Sequence, residues 1–303
     1  MSVAPGRLAV VTTSYPSDAS DPTGHFVLED VLAHRRAGYQ VTVLAPYDAR
    51  RIDVDVIQLR HAKLFGWPGM VSRLRENPAR AVGAPRWLHA VHTELRRLRP
   101  DAVEVHWACP NALAVPRGMT THLVSHGSDV RLLARVPRAM SMRIMRDAVS
   151  WRFVAKHLRD QVRARLSGEA RARFDAIAHV TPSALGKVQV APELRNELRA
   201  KHMLPLFVVV ARLIPTKEVR RAIVHFKSMN AGGTLVIVGD GPERAALEQL
   251  ARGSHVHFAG MLAHQETLHW IAAADELWMS SRSEGASTVA REAQALGTPV
   301  RWL

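Results

Sequence analysis

The chain has 303 residues, of which 47% are hydrophobic and 22% charged, with a formal net charge of +14. At roughly 100–200 residues per domain this length suggests two domains with a core each, and the composition excludes wholesale disorder. The lone Cys109 excludes a disulfide scaffold and a four-thiolate zinc site, and no apolar run approaches the roughly 18 residues of a membrane span.

Short apolar runs bounded by turn residues predict strands at 7–13, 40–46, 53–59, 102–107 and 121–126, with helical periodicity at 25–37 and 86–98. The stretch 137–165 reads as helical, apolar and basic. A second series of strands follows at 176–181, 206–211, 234–239, 255–259, 275–280 and 299–303, with helices at 218–229, 243–252, 264–273 and 286–296. Strands that alternate with helices predict parallel sheets covered on both faces. The expected organisation is α/β, with two doubly wound parallel-sheet (Rossmann-like) domains facing a cleft, 1–168 and 169–303. The charge is uneven, +12 in the first 200 residues against +2 in the remainder. It reads either as a general preference for arginine or as a surface in the first domain that meets phosphates.

The segment SRSEGASTVAREAQALGTP at 281–299 leaves a strand, turns through Glu284 and Gly285, and enters a helix that ends at Gly297. Glu284 is therefore placed at the carboxyl end of a strand, where ligands of open α/β sheets bind. Gly285, Ala286, Ser287 and Thr288 offer backbone N–H groups at a helix start, suited to a phosphate. Glu292 reads either as a second polar contact to the same ligand or as a solvated surface residue. Arg212 and Lys217 flank another strand-to-helix turn and can reach phosphate oxygens. Gly239 and Gly241 permit a tight turn after the next strand, but the spacing lacks the third glycine of a dinucleotide fingerprint.

These motifs, together with HGSDV at 126–130, ARLIPTKE at 211–218 and VGDGPE at 238–243, resemble the retaining GT-B glycosyltransferases called family 4, or group 1. The resemblance implies that the first domain binds the acceptor and the second a nucleotide-sugar. It implies that Glu284 and His126 contact the transferred sugar, Glu292 the ribose hydroxyls, and Arg212 and Lys217 the diphosphate. The Gly24 loop is implied near the diphosphate and acceptor, and Met261 near the base. No protein nucleophile, metal ion or other cofactor is implied, the nucleotide-sugar serving as co-substrate.

Asp53-Val54-Asp55 has a metal-binding spacing but lies in an alternating strand, and the pairs His106/Cys109, His89/His92 and His264/His269 lack further ligands. Trp107 reads as core. Ala211 and Glu218 stand where the family has glycines, and the second domain reads as incomplete at Leu303. Those departures keep open a catalytically impaired remnant that retains nucleotide binding, and a nucleotide-sugar epimerase is a further alternative. The expected partners are a nucleotide-sugar, a sugar or lipid-linked acceptor and an anionic membrane surface, not nucleic acid. The expected location is cytoplasmic, peripheral at the inner face of the plasma membrane, and the basic segments 60–75 and 131–165 read either as docking surfaces for anionic lipid or as ordinary amphipathic packing.

Overall fold

Valine-rich runs with few polar interruptions build the strands of both sheets, and the side chains of each strand are buried alternately against helices on its two faces. The computed structural model describes residues 6–16, 21, 23–46, 55–59, 64–65, 70–229, 232–281 and 287–303. They form two compact units that divide after Ala184.

The first unit contains β1 (Arg7–Val11), β2 (Gln40–Pro46), β3 (Asp55–Leu59), β4 (Ala102–His106), β5 (Thr121–Ser125), β6 (Ala148–Phe153) and β7 (Ala178–Val180). All seven are parallel, in the order β3-β2-β1-β4-β5-β6-β7. The chain builds outward from β1 in one direction and then from β4 in the other, so the topological switch point lies between β1 and β4. The helix His25–Arg36 buries Val27 and Val31 on β1 and β2, and the helix Gly83–Leu98 buries Trp87, Val91 and Leu95, three residues four apart on one face.

The second unit contains β8 (Leu206–Val210), β9 (Thr234–Val238), β10 (Val256–Gly260), β11 (Glu276–Met279) and β12 (Val300–Trp302), again all parallel, in the order β10-β9-β8-β11-β12. Its switch point lies between β8 and β11. Alternation along β8 is clear: Leu206 and Val208 pack with Leu268, Ile271 and Ala293 on one side. Phe207 and Val209 pack with Ile223, Phe226 and Leu247 on the other. Each such fully buried aliphatic side chain contributes about 1.5–3 kcal/mol relative to exposure.

Two expectations need correction. The stretch 137–165 is not continuously helical, because AVSWRF forms β6 between the helices Arg138–Met145 and Lys156–Arg163, with Trp151 and Phe153 fully buried. The strand near 176–181 pairs with β6 and closes the first sheet instead of opening the second. The division therefore falls at 184/185, and not at 168/169. Among the described residues no helix is long and apolar enough to cross a membrane.

Candidate functional site

In the first unit the carboxyl edge of the sheet is built from side chains. Strand alternation puts Glu104 and His106, two apart on β4, on one face. Both are buried, and His106 Nε2 lies 2.9 Å from Glu104 Oε1. The other carboxylate oxygen, Oε2, lies 3.1 Å from Nε2 of His34, on the helix His25–Arg36. Nδ1 of His106 lies 3.0 Å from Nε2 of His126, which follows β5. Burial by itself would raise the pKa of Glu104, but the hydrogen bonds from His106 and His34 outweigh it and hold the carboxyl well below the usual range. The same bond to Glu104 pushes His34 upward. His126 is pushed well below the usual imidazole range, chiefly by burial and then by the neighbouring His106 and Arg152 charges, so it stays neutral.

His126 is held from every side. Its backbone N–H and that of Gly127 donate to Oδ1 of buried Asp129, at 3.1 and 3.0 Å. Its ring lies 4.7 Å from that of Trp107 and 4.9 Å from that of Phe26 between centroids. Trp107 is thus a half-buried wall beside His126, and not a core residue. Asn111 accepts from Trp87 Nε1 and donates to the His106 carbonyl, fixing the end of β4 from below. Cys109 is buried and its thiol is pushed up to about 12, by burial first and Asp129 second, so it is no nucleophile.

Gly24 precedes the helix His25–Arg36 with φ 71°, and a side chain there would meet the Ser14 carbonyl oxygen at 2.5 Å. Only glycine lets the β1 loop and the helix start approach so closely. On the same helix Asp30 pairs with Arg152 of β6 and accepts from the Ala184 N–H at 3.0 Å.

In the second unit the carboxyl edge is built mainly from backbone. Gly239, at φ 131°, sits where a Cβ would lie 1.9 Å from the Ala211 carbonyl oxygen, and Gly241 where one would lie 2.5 Å from that of Leu213. Leu213 N–H donates to Asp240 O at 2.8 Å and Gly239 N–H to Gly260 O at 2.7 Å, interlocking the turns after β8, β9 and β10. Arg212 is exposed and Lys217 half-buried on the turn after β8. The Ser280 hydroxyl, after β11, donates to the Lys217 carbonyl at 2.8 Å, so the two loops flanking the switch point are bonded to each other. Glu218 adopts φ 47°, the left-handed region, and its carboxylate accepts from Arg221 at 3.3 Å, so its negative charge is compensated locally.

Ser287 caps the helix Thr288–Ala295, its hydroxyl oxygen accepting from Ala290 N–H at 3.2 Å. One turn further, Glu292 is 2% exposed, which excludes a solvated surface role, and its Oε1 accepts from His264 Nε2 at 2.7 Å. His264 begins the helix His264–Ala273 after β10, so sequence pairing with His269 missed its partner 28 residues away. Met261, just past β10, is 43% exposed. Glu284, Gly285 and Ala286 lie outside the described residues, as do Asp53 and Val54. Sequence reasoning missed Glu104 and His34 altogether. The usable signal was the same-face spacing of Glu104 and His106, whereas His34 is 70 residues from its carboxylate.

Two parallel, doubly wound sheets with these switch-point loops define a GT-B-type glycosyltransferase fold. Residues 190–300 match the family described as "Glycosyl transferases, group 1". Over 97% of its length the chain is 26% identical to a Bacillus subtilis protein named as the teichuronic acid biosynthesis glycosyltransferase TuaC, spanning 80% of that protein. It is 28% identical, over 69% of its length and 58% of the relative's, to a GDP-mannose-dependent alpha-(1-6)-phosphatidylinositol dimannoside mannosyltransferase of Mycobacterium tuberculosis. Among solved structures, Anabaena Alr3699/HepE in complex with UDP-glucose superposes with a TM-score of 0.66 at 15% identity, covering 98% of this chain and 80% of that one.

Proposed function

We propose that the chain transfers a sugar from a nucleotide-sugar to an acceptor hydroxyl, with retention of anomeric configuration and without a metal ion. The observation that carries this reading is the pair of bonded loops at the second switch point, with Arg212 and Lys217 on one side and buried, His264-oriented Glu292 beyond the other. Open α/β sheets bind ligands there. Arg212 and Lys217 supply fixed cations for a diphosphate that gains negative charge as it departs. Glu292 accepts from ribose hydroxyls. Gly239 lets backbone approach the ligand, Met261 flanks the base, and Glu284, Gly285, Ala286 and Ser287 line the sugar and its phosphate.

In the tautomers this reading assigns, Glu104 accepts from His106 Nε2–H and His106 Nδ1 accepts from His126 Nε2–H. Neutral His126 then keeps its own Nδ1 as an acceptor for a sugar hydroxyl, and Glu104 and His106 act as positioning residues. The acceptor oxygen bonds to the anomeric carbon from the face the diphosphate leaves, the bond to the diphosphate breaks, and the acceptor proton passes to a phosphate oxygen. The names of the relatives and of the UDP-glucose complex support a nucleotide-sugar donor and a polysaccharide or lipid-linked acceptor.

A panel of UDP- and GDP-sugars, with nucleoside diphosphate release measured and the product anomer read by NMR, tests the reading. Release with one donor and a retained anomer are expected. Nucleotide binding without turnover on any donor would instead identify an impaired form, and a donor recovered as its epimer would identify an epimerase.

A further inference from the structure

The amino-terminal edge of the first sheet, at the other end of β5 from His126, carries a cavity of about 390 Å³. Four arginines ring it: Arg96 from the helix Gly83–Leu98, Arg117 from the turn before β5, and Arg143 and Arg146 from the segment leading into β6. Ala112, Leu113, Val115, Pro116 and Ile144 supply the apolar part of the lining. Asp147 is the one acidic lining residue, and its Oδ2 is taken by Arg146 Nε and Nη2 at 3.0 and 2.9 Å. His92 also lines the cavity, with Nδ1 3.1 Å from the Ala114 carbonyl, so that nitrogen carries the proton.

Among the described residues, Arg96, Arg117 and Arg143 make no side-chain hydrogen bond or ion pair, and all three are exposed. Elsewhere arginines find carboxylates nearby, as Arg97 does with Glu94, Arg163 with Asp175 and Arg152 with Asp30. Converging like charges that no carboxylate neutralises raise each other's energy and attract anions. Planar guanidinium forks match the oxygens of phosphate, which they bind bidentately.

We propose that this cavity binds a phosphate group carrying two or more negative charges. Its volume falls within the roughly 300–1,000 Å³ of small-molecule sites, enough for a phosphorylated headgroup or a small phosphate compound. The apolar part of the lining accommodates the carbon portion of such a ligand. The site is separate from the diphosphate loops of the second unit, and it stands whether or not the transferase reading does.

Titration calorimetry with inorganic pyrophosphate tests it, using the full chain carrying Arg212→Ala and Lys217→Ala so that those loops do not report. Adding Arg96→Gln, Arg117→Gln and Arg143→Gln is expected to weaken pyrophosphate binding at least tenfold with an unchanged melting temperature. If that combination does not fold, Arg117→Gln and Arg143→Gln alone are each expected to weaken it severalfold. Flotation with phosphatidic acid vesicles, whose headgroup phosphate is a monoester that can lose both protons, against phosphatidylcholine controls, separates the sources. Loss of vesicle binding in the same variants assigns the phosphate to a lipid headgroup, and loss of pyrophosphate binding alone assigns it to a soluble compound. Affinity for both ligands that is absent in the parent, or unchanged by the substitutions, overturns the proposal.

Discussion

The carboxyl edges of the two sheets solve the same problem with different materials. In the first unit a carboxylate, two further imidazoles and an aromatic wall hold His126 in place, so the edge is chemically tunable and sensitive to pH. In the second, interlocked glycine turns and carbonyls set most of the loop positions, with one imidazole–carboxylate pair, His264 and Glu292, beyond them. The difference suits what each would meet. A diphosphate is recognised by fixed dipoles and cations at set positions, whereas a hydroxyl needs a nitrogen in the right tautomer.

Gly239→Ala attacks the backbone-built edge and is expected to have the largest effect. The new Cβ would fall 1.9 Å from the Ala211 oxygen at a φ no side chain tolerates, costing about 4–5 kcal/mol, and chemical denaturation would read it directly. A loss under about 1 kcal/mol would mean that the turns can separate, and the contrast between the two edges would go.

Glu104→Gln attacks the edge built from side chains. Removing one partner of a buried ionic group costs about 3–5 kcal/mol, and transfer should slow more than tenfold with KM little changed, because His106 and His126 lose their fixed tautomers. The pH dependence has a defined sign. His34, ordinarily near 6.5, is raised in the fold, so its contribution is full below 6.5 and fades as pH rises through the raised value. Glu104 is lowered from 4.5, so its contribution is full above 4.5 and fades only in stronger acid. Melting temperatures measured across pH 4–9 should therefore show an alkaline decline in the parent that Glu104→Gln flattens. An identical slope in both chains would remove His34 from the pair.

Glu218→Gly sharpens the comparison with the smallest effect. Relief of a left-handed non-glycine residue is worth about 1–2 kcal/mol, offset by roughly 0.5–1 kcal/mol of added chain entropy, so a gain below about 1 kcal/mol is expected by denaturation. A loss would mean that the Arg221 pair contributes more than the backbone strain costs.

Most strands were legible because a short apolar run bounded by turn residues is a local signal, and strand 40–46 and the helix 264–273 coincide with their predicted bounds. Strand β6 was not, since Arg146 and Arg152 flank and interrupt its apolar residues in the same way as in the basic helices beside it. The assignment of β7 to a sheet could not be read either, because a three-residue strand says nothing local about its neighbour. At the candidate site, the tight turn after β9 was legible from glycine spacing. The buried partnerships of Glu104 with His34 and of Glu292 with His264 were not, because each joins elements distant in the chain. Glu284, which the resemblance made central, lies outside the described residues.

Asp30 has a consequence for synthesis. Its partners, Arg152 and the Ala184 N–H, lie 122 and 154 residues downstream. At about 5–20 residues per second, the ribosome needs roughly 8–30 s after making the helix His25–Arg36 before the last of them exists. The cation, Arg152, is made first, and until Ala184 follows the aspartate lacks its amide partner. Folding of the first unit is gated by the arrival of its own final residues, and a nascent chain paused before 178 would lack β7 and leave that side of β6 unpaired.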